Sequence, residues 1–183
     1  MQREPDQLLT RNDVVLAVID VQEKLLPVIN NGDRMLENIV KLLRFANVVG
    51  LPVLLTEQEN LGPTVARIRE QLGDLSPITK IEFDACKRPQ FLQRLEEIGR
   101  HSVLVTGIEA HICIAQTVLH LLPRFKVHVI GDAVSSRTPE NCQFALERMR
   151  QGGAVVSSTE MAMYELLERA GTDEFRQVLP LVK

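Results

Sequence analysis

Short, uninterrupted apolar runs constrain the fold of this chain more than any other feature of the sequence. The first run, Val14–Ile19, consists of aliphatic residues, most of them β-branched, and is followed by Asp20. Continuous apolarity, as opposed to alternation, is typical of a strand that is buried on both faces of a parallel sheet. Comparable runs predict five further strands, at 52–56, 78–81, 103–106, 126–130 and 154–157.

Segments with helical periodicity separate these runs. They lie at 33–49, 64–72, 89–98, 114–122, 138–152 and 157–170, and a last short helix follows Thr172. Ser157 and Glu160 have the spacing of a capping box for the sixth helix. Strands that alternate with helices predict an α/β fold with three layers, α/β/α, in which a six-stranded parallel sheet is covered on both faces. The commonest strand order for such a Rossmann-like sheet is 3-2-1-4-5-6.

Length and charge narrow the possible partners. The 183 residues predict one domain, residues 1–183, with 45 % apolar and 25 % charged residues. A net charge of −3 and the absence of a basic block give no reason to expect nucleic acid or a membrane surface as a partner. A small-molecule partner is therefore expected.

The cysteines and the N-terminal residues predict a cytoplasmic location. Three cysteines at wide spacing do not form a disulfide framework, which favours a reducing compartment. Residues 1–12 are polar and lack the apolar core of a signal peptide. No apolar run approaches the ~20 residues that span a bilayer.

The predicted strand order places two reactive side chains, a carboxylate and a thiol, close together. Ligands of a doubly wound sheet bind where the order reverses, between the carboxyl ends of strands 1 and 4. Asp20 ends the first strand, and Cys113 follows the fourth strand after a tight corner. The sequence therefore places a carboxylate next to a thiol in the expected crevice.

The same crevice lacks the features of a cofactor site. No GxGxxG and no GxxxxGK[ST] motif occurs, and the turn after strand 1 carries the acids Asp20 and Glu23, which repel phosphate. Nucleotide binding is therefore not expected. His101, His120 and His128 are isolated along the chain and show no ligand spacing with an acid, so neither a metal nor a cofactor is expected.

Each candidate residue also has a purely structural interpretation. A cysteine such as Cys113 is often simply a small buried residue, and an aspartate such as Asp20 often ends a strand as a turn former. Lys80 belongs to a strand two positions from the first, roughly 10 Å away, so it approaches Asp20 only if its loop curls inward. His111 precedes Cys113 by two residues and does not share a helix face with it, which favours pocket lining or hydrogen bonding over direct catalysis. Cys86 and Cys142 are interpreted as structural.

An ordered set of motifs resembles the isochorismatase-like hydrolase superfamily, and its isochorismatase domain-containing branch in particular. The resemblance covers nearly the whole chain. The motifs are 18–22 (VIDVQ), Lys80 with 83–86 (FDAC), 106–113 (TGIEAHIC), 132–136 (DAVSS) and 158–160 (STE).

The resemblance implies a catalytic triad of Asp20, Lys80 and Cys113. In the superfamily the aspartate takes the thiol proton, the lysine stabilises the charged pair and the cysteine attacks the substrate carbon. The implied oxyanion hole consists of the backbone N–H groups of Cys113 and Glu109, arranged by a cis peptide bond between Ile108 and Glu109. A homo-oligomer is also implied. The apolar segment 178–182 is able either to cover a neighbouring copy or to dock on the chain's own sheet.

Departures from the superfamily pattern define the expected activity. Nicotinamidases of the superfamily carry an Asp-x-His metal motif after strand 2, where this chain has 56–60 (TEQEN) without a histidine. Isochorismatases often lack the cysteine, whereas Cys113 is present. The sequence thus favours a metal-independent cysteine hydrolase that cleaves a C–N bond of a small amide-type substrate. Vinyl ether hydrolysis with Asp20 as general acid, and a non-catalytic binding module, remain as alternatives. Expected pocket residues are Gln22, which would support Asp20, and Glu57, Gln58, Phe83 and His111.

Overall fold

A single six-stranded parallel sheet organises the part of the chain that the structure describes. The computed structural model describes residues 8–182. The strand order is β3-β2-β1-β4-β5-β6, which confirms the predicted α/β architecture and order. The strands are β1 (Val14–Ile19), β2 (Val53–Gln58), β3 (Ile78–Lys80), β4 (Ser102–Ile108), β5 (Lys126–Ser135) and β6 (Val155–Ser157).

Helices cover both faces of the sheet and join successive strands. They are α1 (Gly32–Val49), α2 (Ala66–Leu72), α3 (Pro89–Ile98), α4 (Ala115–Leu121), α5 (Pro139–Gly152), α6 (Thr159–Leu167) and α7 (Asp173–Val182). None of the helices described within 8–182 is long and apolar enough to cross a membrane.

The central strand separates two hydrophobic cores. Every residue of β1 is buried, and β1 pairs in parallel with both β2 and β4. Its side chains alternate between the two faces, so that Leu16 and Val18 pack towards α1 while Ala17 and Ile19 pack towards α3 and α4. Burial on both faces explains why the sequence of β1 is uniformly apolar.

Several element ends differ from the sequence-based expectation. The fifth strand continues through Gly131 and Asp132 to Ser135, because it pairs with β4 again after a register shift. The sixth helix is capped by Ser158, whose hydroxyl accepts the N–H of Met161, and the predicted Ser157 cap is wrong because Ser157 still belongs to β6. The same helix ends at Leu167 rather than at residue 170.

The C-terminal helix packs on its own chain. Val178 is 1 % exposed and belongs to the core on the α1 face, with Leu181 packed against it. Thr172 caps the helix through its hydroxyl, which accepts the N–H of Phe175. Of the two interpretations of this apolar segment, docking on the chain's own core is the one observed.

One glycine permits the close approach of β4 to β1. Gly107 has φ +118°, and a Cβ at this position would lie 2.0 Å from the carbonyl oxygen of Ile19. Only glycine tolerates both the backbone conformation and this contact. The contact lies just before Asp20 in one strand and just before the turn to Cys113 in the other, so Gly107 brings the two candidate residues together.

Candidate active site

Asp20 is fully buried where β1 ends. Its backbone has φ +56°, a left-handed conformation that is uncommon outside glycine, asparagine and aspartate. The Thr56 hydroxyl donates to Oδ1 at 2.7 Å, and Lys80 Nζ donates to Oδ2 at 2.6 Å. Both carboxyl oxygens therefore act as acceptors, as in an ionised carboxylate.

Lys80 reaches Asp20 by crossing the end of the intervening strand. Lys80 pairs with Gln58 of β2, and its Nζ donates to Gln58 Oε1 at 2.8 Å on the way to Asp20. The chain then curls back, so that the carbonyl oxygens of Glu82 and Phe83 also accept from Nζ, at 3.1 and 3.5 Å. The ammonium group is thus buried with four acceptors around it, which compensates for the loss of water.

Cys113 lies on the turn that follows β4. Residues Ala110–Ile114 form a π-helical turn that leads directly into α4, and Cys113 is 6 % exposed. Burial raises the pKa of the Cys113 thiol to about 12, and the negative charge of Asp20 acts in the same direction. The positive charge of Lys80 and a hydrogen bond from the Glu109 backbone lower it. The structure therefore brings Asp20, Lys80 and Cys113 into one buried cluster, with the cysteine as a neutral thiol near pH 7.

The corner between β4 and this turn contains a cis peptide bond between Ile108 and Glu109. The carboxylate of Glu109 is buried and forms two parallel hydrogen bonds with Arg137, from Nε to Oε2 at 3.0 Å and from Nη2 to Oε1 at 2.9 Å. The hydrogen bonds to Glu109, together with its negative charge, raise the pKa of Arg137 above its ordinary value. This bidentate pair anchors the corner to the segment after β5.

His111 contacts the same segment after β5. Its Nδ1 lies 3.0 Å from Ser136 Oγ, and the Ser136 carbonyl accepts the N–H of Asn30. This contact fits the hydrogen-bonding interpretation of His111.

The other residues expected in the pocket differ in what they contact. The Gln22 amide donates to the carbonyl oxygens of Gln58 and Gly62, and its oxygen accepts the N–H of Gln58, so its contacts are to the loop backbone rather than to Asp20. Glu57 Oε1 accepts from the backbone and hydroxyl of Thr64. Phe83 is 55 % exposed. Gln22 and Glu57 thus shape the loop, whereas Gln58 and Phe83 contact Lys80.

Two residues that contribute to the site, Thr56 and Arg137, were not predicted from the sequence. Thr56 looks like an ordinary strand residue, and only the pairing of β1 with β2 shows that it faces Asp20. Arg137 lies 28 residues beyond Glu109 and carries no local motif. A cavity of about 680 Å³ between α1 and α5 is bordered by Asn30, Ser135 and Cys142, but not by Asp20, Lys80 or Cys113.

Comparison with known families identifies the scaffold. The Isochorismatase domain family matches residues 14–161, which include Asp20, Lys80 and Cys113. The chain belongs to the isochorismatase family. It is thus an isochorismatase-family hydrolase, as the sequence motifs predicted.

Several relatives resemble this isochorismatase-family chain over most of their length. The secreted isochorismatase effector Isc1 of Phytophthora sojae is 40 % identical over 187 residues, which cover 92 % of this chain and 84 % of Isc1. Isochorismatase domain-containing protein 2 of Danio rerio is 35 % identical, covering 95 % of this chain and 89 % of its own length. The human protein of the same name is 37 % identical, with coverage of 92 % and 82 %.

Solved structures of the family share the fold. The MAR1 ribonuclease of Caenorhabditis elegans has a TM-score of 0.89 at 32 % identity, covering 96 % of this chain and 92 % of its own. YcaC of Escherichia coli, described as an octameric hydrolase of unknown specificity, has a TM-score of 0.92 at 24 % identity, with coverage of 98 % and 91 %. At that identity the likeness to YcaC establishes the fold alone.

Proposed function

We propose that this chain is a metal-independent cysteine hydrolase that cleaves a C–N bond in a small amide-type substrate through a covalent Cys113 intermediate. The observation that supports this proposal most directly is the buried Asp20–Lys80 ion pair beside a buried thiol. A nucleophile, a base and a cation within one water-poor cluster are the groups that covalent acyl transfer requires.

Asp20 acts as the general base. Because the thiol is neutral at pH 7, its proton has to leave as sulfur attacks, and Asp20 is the adjacent acceptor. Sγ then bonds to the carbonyl carbon, and the carbonyl electron pair moves to oxygen. Lys80 remains charged throughout and offsets the negative charge that passes between carboxylate, sulfur and oxygen.

The backbone N–H groups of Glu109 and Cys113 stabilise the resulting oxyanion. When the tetrahedral intermediate collapses, the C–N bond breaks, and the proton held by Asp20 passes to the leaving nitrogen. Asp20 next takes a proton from water, whose oxygen attacks the thioester and releases the carboxylic acid. The proton returns to Cys113, so one water is consumed for each amide cleaved. The loss of one oxyanion donor typically costs ~3 kcal/mol in the transition state.

The substrate enters past residues at the ends of the strands. Phe83 is exposed beside the carbonyl that holds Lys80, and it offers an apolar surface at the rim. Gln58, Glu57, Gln22 and His111 complete the proposed pocket. These polar side chains would orient a small polar substrate such as an amide through hydrogen bonds.

Vinyl ether hydrolysis is the main alternative. In that reaction Asp20 would donate a proton and would have to be protonated beforehand. Both of its oxygens accept hydrogen bonds, one from an ammonium group, which favours the base over the acid role. A non-catalytic binding module would have no use for the buried ion pair, whose desolvation costs stability.

A substrate screen with matched variants tests these proposals. Wild type, Cys113→Ala and Cys142→Ala are incubated with small amides, ureides, vinyl ethers and single-stranded RNA, and product formation is followed by mass spectrometry. Amide or ureide cleavage that is lost only in Cys113→Ala, together with an acyl adduct on intact wild-type protein, supports the cysteine mechanism. Ether cleavage that survives in Cys113→Ala supports the alternative. Turnover of none of these substrates points to the binding module.

RNA is included because one structural relative is called a ribonuclease. The net charge of −3 and the acid at the end of β2 do not favour a polyphosphate substrate. A homo-oligomer and a cytoplasmic location complete the proposal. Ile81 and Phe83, two exposed apolar side chains on the same short segment after β3, favour self-association.

A further inference from the structure

A second cluster of reactive side chains lies outside the proposed hydrolytic site. Asp84, Cys86 and His120 bring one carboxylate oxygen, one thiol sulfur and one imidazole nitrogen within 4.8 Å of one another. Asp84 Oδ2 lies 2.8 Å from His120 Nδ1, and Oδ1 accepts the N–H of Cys86. His120 stands on α4, whereas the other two residues belong to the segment after β3, so the fold itself assembles the cluster.

The donor set has the chemistry of a transition-metal site. Carboxylate oxygen, thiolate sulfur and imidazole nitrogen are the three ligand types that Zn²⁺ uses in proteins. A deprotonated Asp84 and Cys86 with a neutral His120 carry two negative charges, which a divalent cation balances. The positive charge of Arg124 acts on Cys86, but its guanidinium is engaged with Glu96 on the surface.

The burial of the three residues is compatible with an ion that binds to them on one side and faces solvent on the other. The side chain of Asp84 is 6 % exposed and Cys86 is buried, whereas the side chain of His120 is 47 % exposed. Because the His120 side chain is half-exposed, its ring is free to rotate out of the hydrogen bond with Asp84 and bind an ion together with the other two ligands. Solvent on the exposed side supplies a water as the fourth ligand.

The geometry points to a divalent transition-metal site, with zinc as the best-matched ion, formed by Asp84, Cys86 and His120. On binding, the metal replaces the hydrogen bond between Asp84 and His120. Cys86 releases its thiol proton to solvent, and the imidazole proton moves by exchange with solvent from Nδ1, where it is donated to Asp84, to Nε2, so that Nδ1 binds the ion. No step of the proposed hydrolysis passes through this ion.

The site also has a structural connection to Lys80. The carbonyl oxygens of Glu82 and Phe83 hold the lysine ammonium, and Asp84 follows them directly. The next residue, Ala85, donates its N–H to Thr117 Oγ1 on α4 at 2.9 Å. A metal that ties Asp84 and Cys86 to His120 therefore fixes the segment that surrounds Lys80 against α4.

Cobalt titration tests the site without reference to activity. Tag-free full-length protein is treated with a chelator, dialysed and titrated with Co²⁺, and the thiolate-to-cobalt charge-transfer absorption and the visible bands of tetrahedral cobalt are recorded. Wild type, Cys113→Ser and Cys142→Ser are expected to bind one ion per chain with the same spectrum. Cys86→Ser is expected to lose the charge-transfer band, and His120→Gln to bind at least tenfold more weakly. Zn²⁺ should displace the cobalt.

Any one of three results would overturn the assignment. The first is the absence of a charge-transfer band in folded wild type. The second is a band that is lost in Cys113→Ser and kept in Cys86→Ser, which would move the metal to the hydrolytic thiol. If Cys86→Ser does not fold, His120→Gln decides, because its half-exposed side chain is dispensable for packing. An unchanged Co²⁺ affinity in that variant refutes the proposal.

Discussion

Replacing Asp20 by asparagine should make Cys113 more reactive towards an alkylating agent while abolishing hydrolysis. The two effects separate because Asp20 has two consequences for the thiol. Its negative charge opposes ionisation of the thiol in the resting protein. In the proposed mechanism, its basicity is needed only during attack on a substrate. Asparagine has nearly the same shape as aspartate, and its side-chain oxygen accepts the hydrogen bond from the Thr56 hydroxyl. It carries no charge, however, and does not take the thiol proton.

The size of the effect is estimated from Coulomb's law for two adjacent charges. Two unit charges about 4 Å apart interact by ~4 kcal/mol at an effective dielectric constant of about 20. At 1.36 kcal/mol per tenfold change, this repulsion lowers the thiolate population about a thousandfold. A more acidic thiol is also a weaker nucleophile, with a Brønsted coefficient of about 0.5. The net gain in alkylation rate for Asp20→Asn is therefore about 30-fold.

Iodoacetamide labelling followed by peptide mass spectrometry measures this rate at pH 8. Cys142, which is partly buried on α5, serves as the internal reference. Asp132→Asn is the matched control, because Asp132 also lies in the carboxyl-terminal half of a strand but hydrogen-bonds to Thr159. Circular dichroism verifies that each variant is folded. A Cys113 rate that is unchanged or lower in folded Asp20→Asn would refute the placement of this charge beside the thiol.

Three further predictions follow from the packing and the charges. Gly107→Ala should lower the free energy of unfolding by ~3 kcal/mol or more in urea titrations, against ~1 kcal/mol for Gly50→Ala, where a Cβ meets nothing within 4 Å. Burial lowers the pKa of His128, so the unfolded chain binds the proton at a higher pH than the folded chain. The free energy of unfolding should therefore fall below about pH 6.5, by up to ~1.4 kcal/mol per pH unit. In His128→Gln, the free energy of unfolding should depend less on pH in this acidic range. Arg137→Gln should lower the Tm, and adding Glu109→Gln should restore part of the loss by removing the unpaired buried charge.

The sheet was predictable because its signals are local. A strand buried on both faces has to be apolar throughout, so the run of β1 was visible without knowledge of its partners. The third helix, Pro89–Ile98, was predicted to the residue, because proline marks its first turn and Gly99 adopts the left-handed conformation after its end. The fifth strand was predicted too short, because Gly131 and Asp132 resemble a turn and only pairing with β4 keeps them extended.

The side-chain clusters depend on contacts between distant residues, and the sequence analysis predicted them only in part. The topology predicted that Asp20 and Cys113 lie near each other. It did not predict that Lys80 crosses the end of β2 to reach Asp20. This position depends on the segment after β3, which folds back so that the carbonyl oxygens of Glu82 and Phe83 accept hydrogen bonds from the ammonium group. His120 and Asp84 are 36 residues apart, and their contact contradicts the expectation that His120 is isolated from any acid.

The buried ion pair is better explained by chemistry than by stability. Transferring two charges from water to a protein interior costs several kcal/mol per ion, and apolar residues of similar volume often replace such pairs without loss. Here the pair lies at the carboxyl end of β1, directly after a strand that is apolar throughout, and the packing of that strand does not require a charged neighbour. Lys80 nevertheless has four acceptors and Asp20 two donors, so the position of each charged group is fixed by several hydrogen bonds. The proposed hydrolysis supplies a reason for this arrangement, because it needs a base of fixed position next to a thiol, which packing alone does not require.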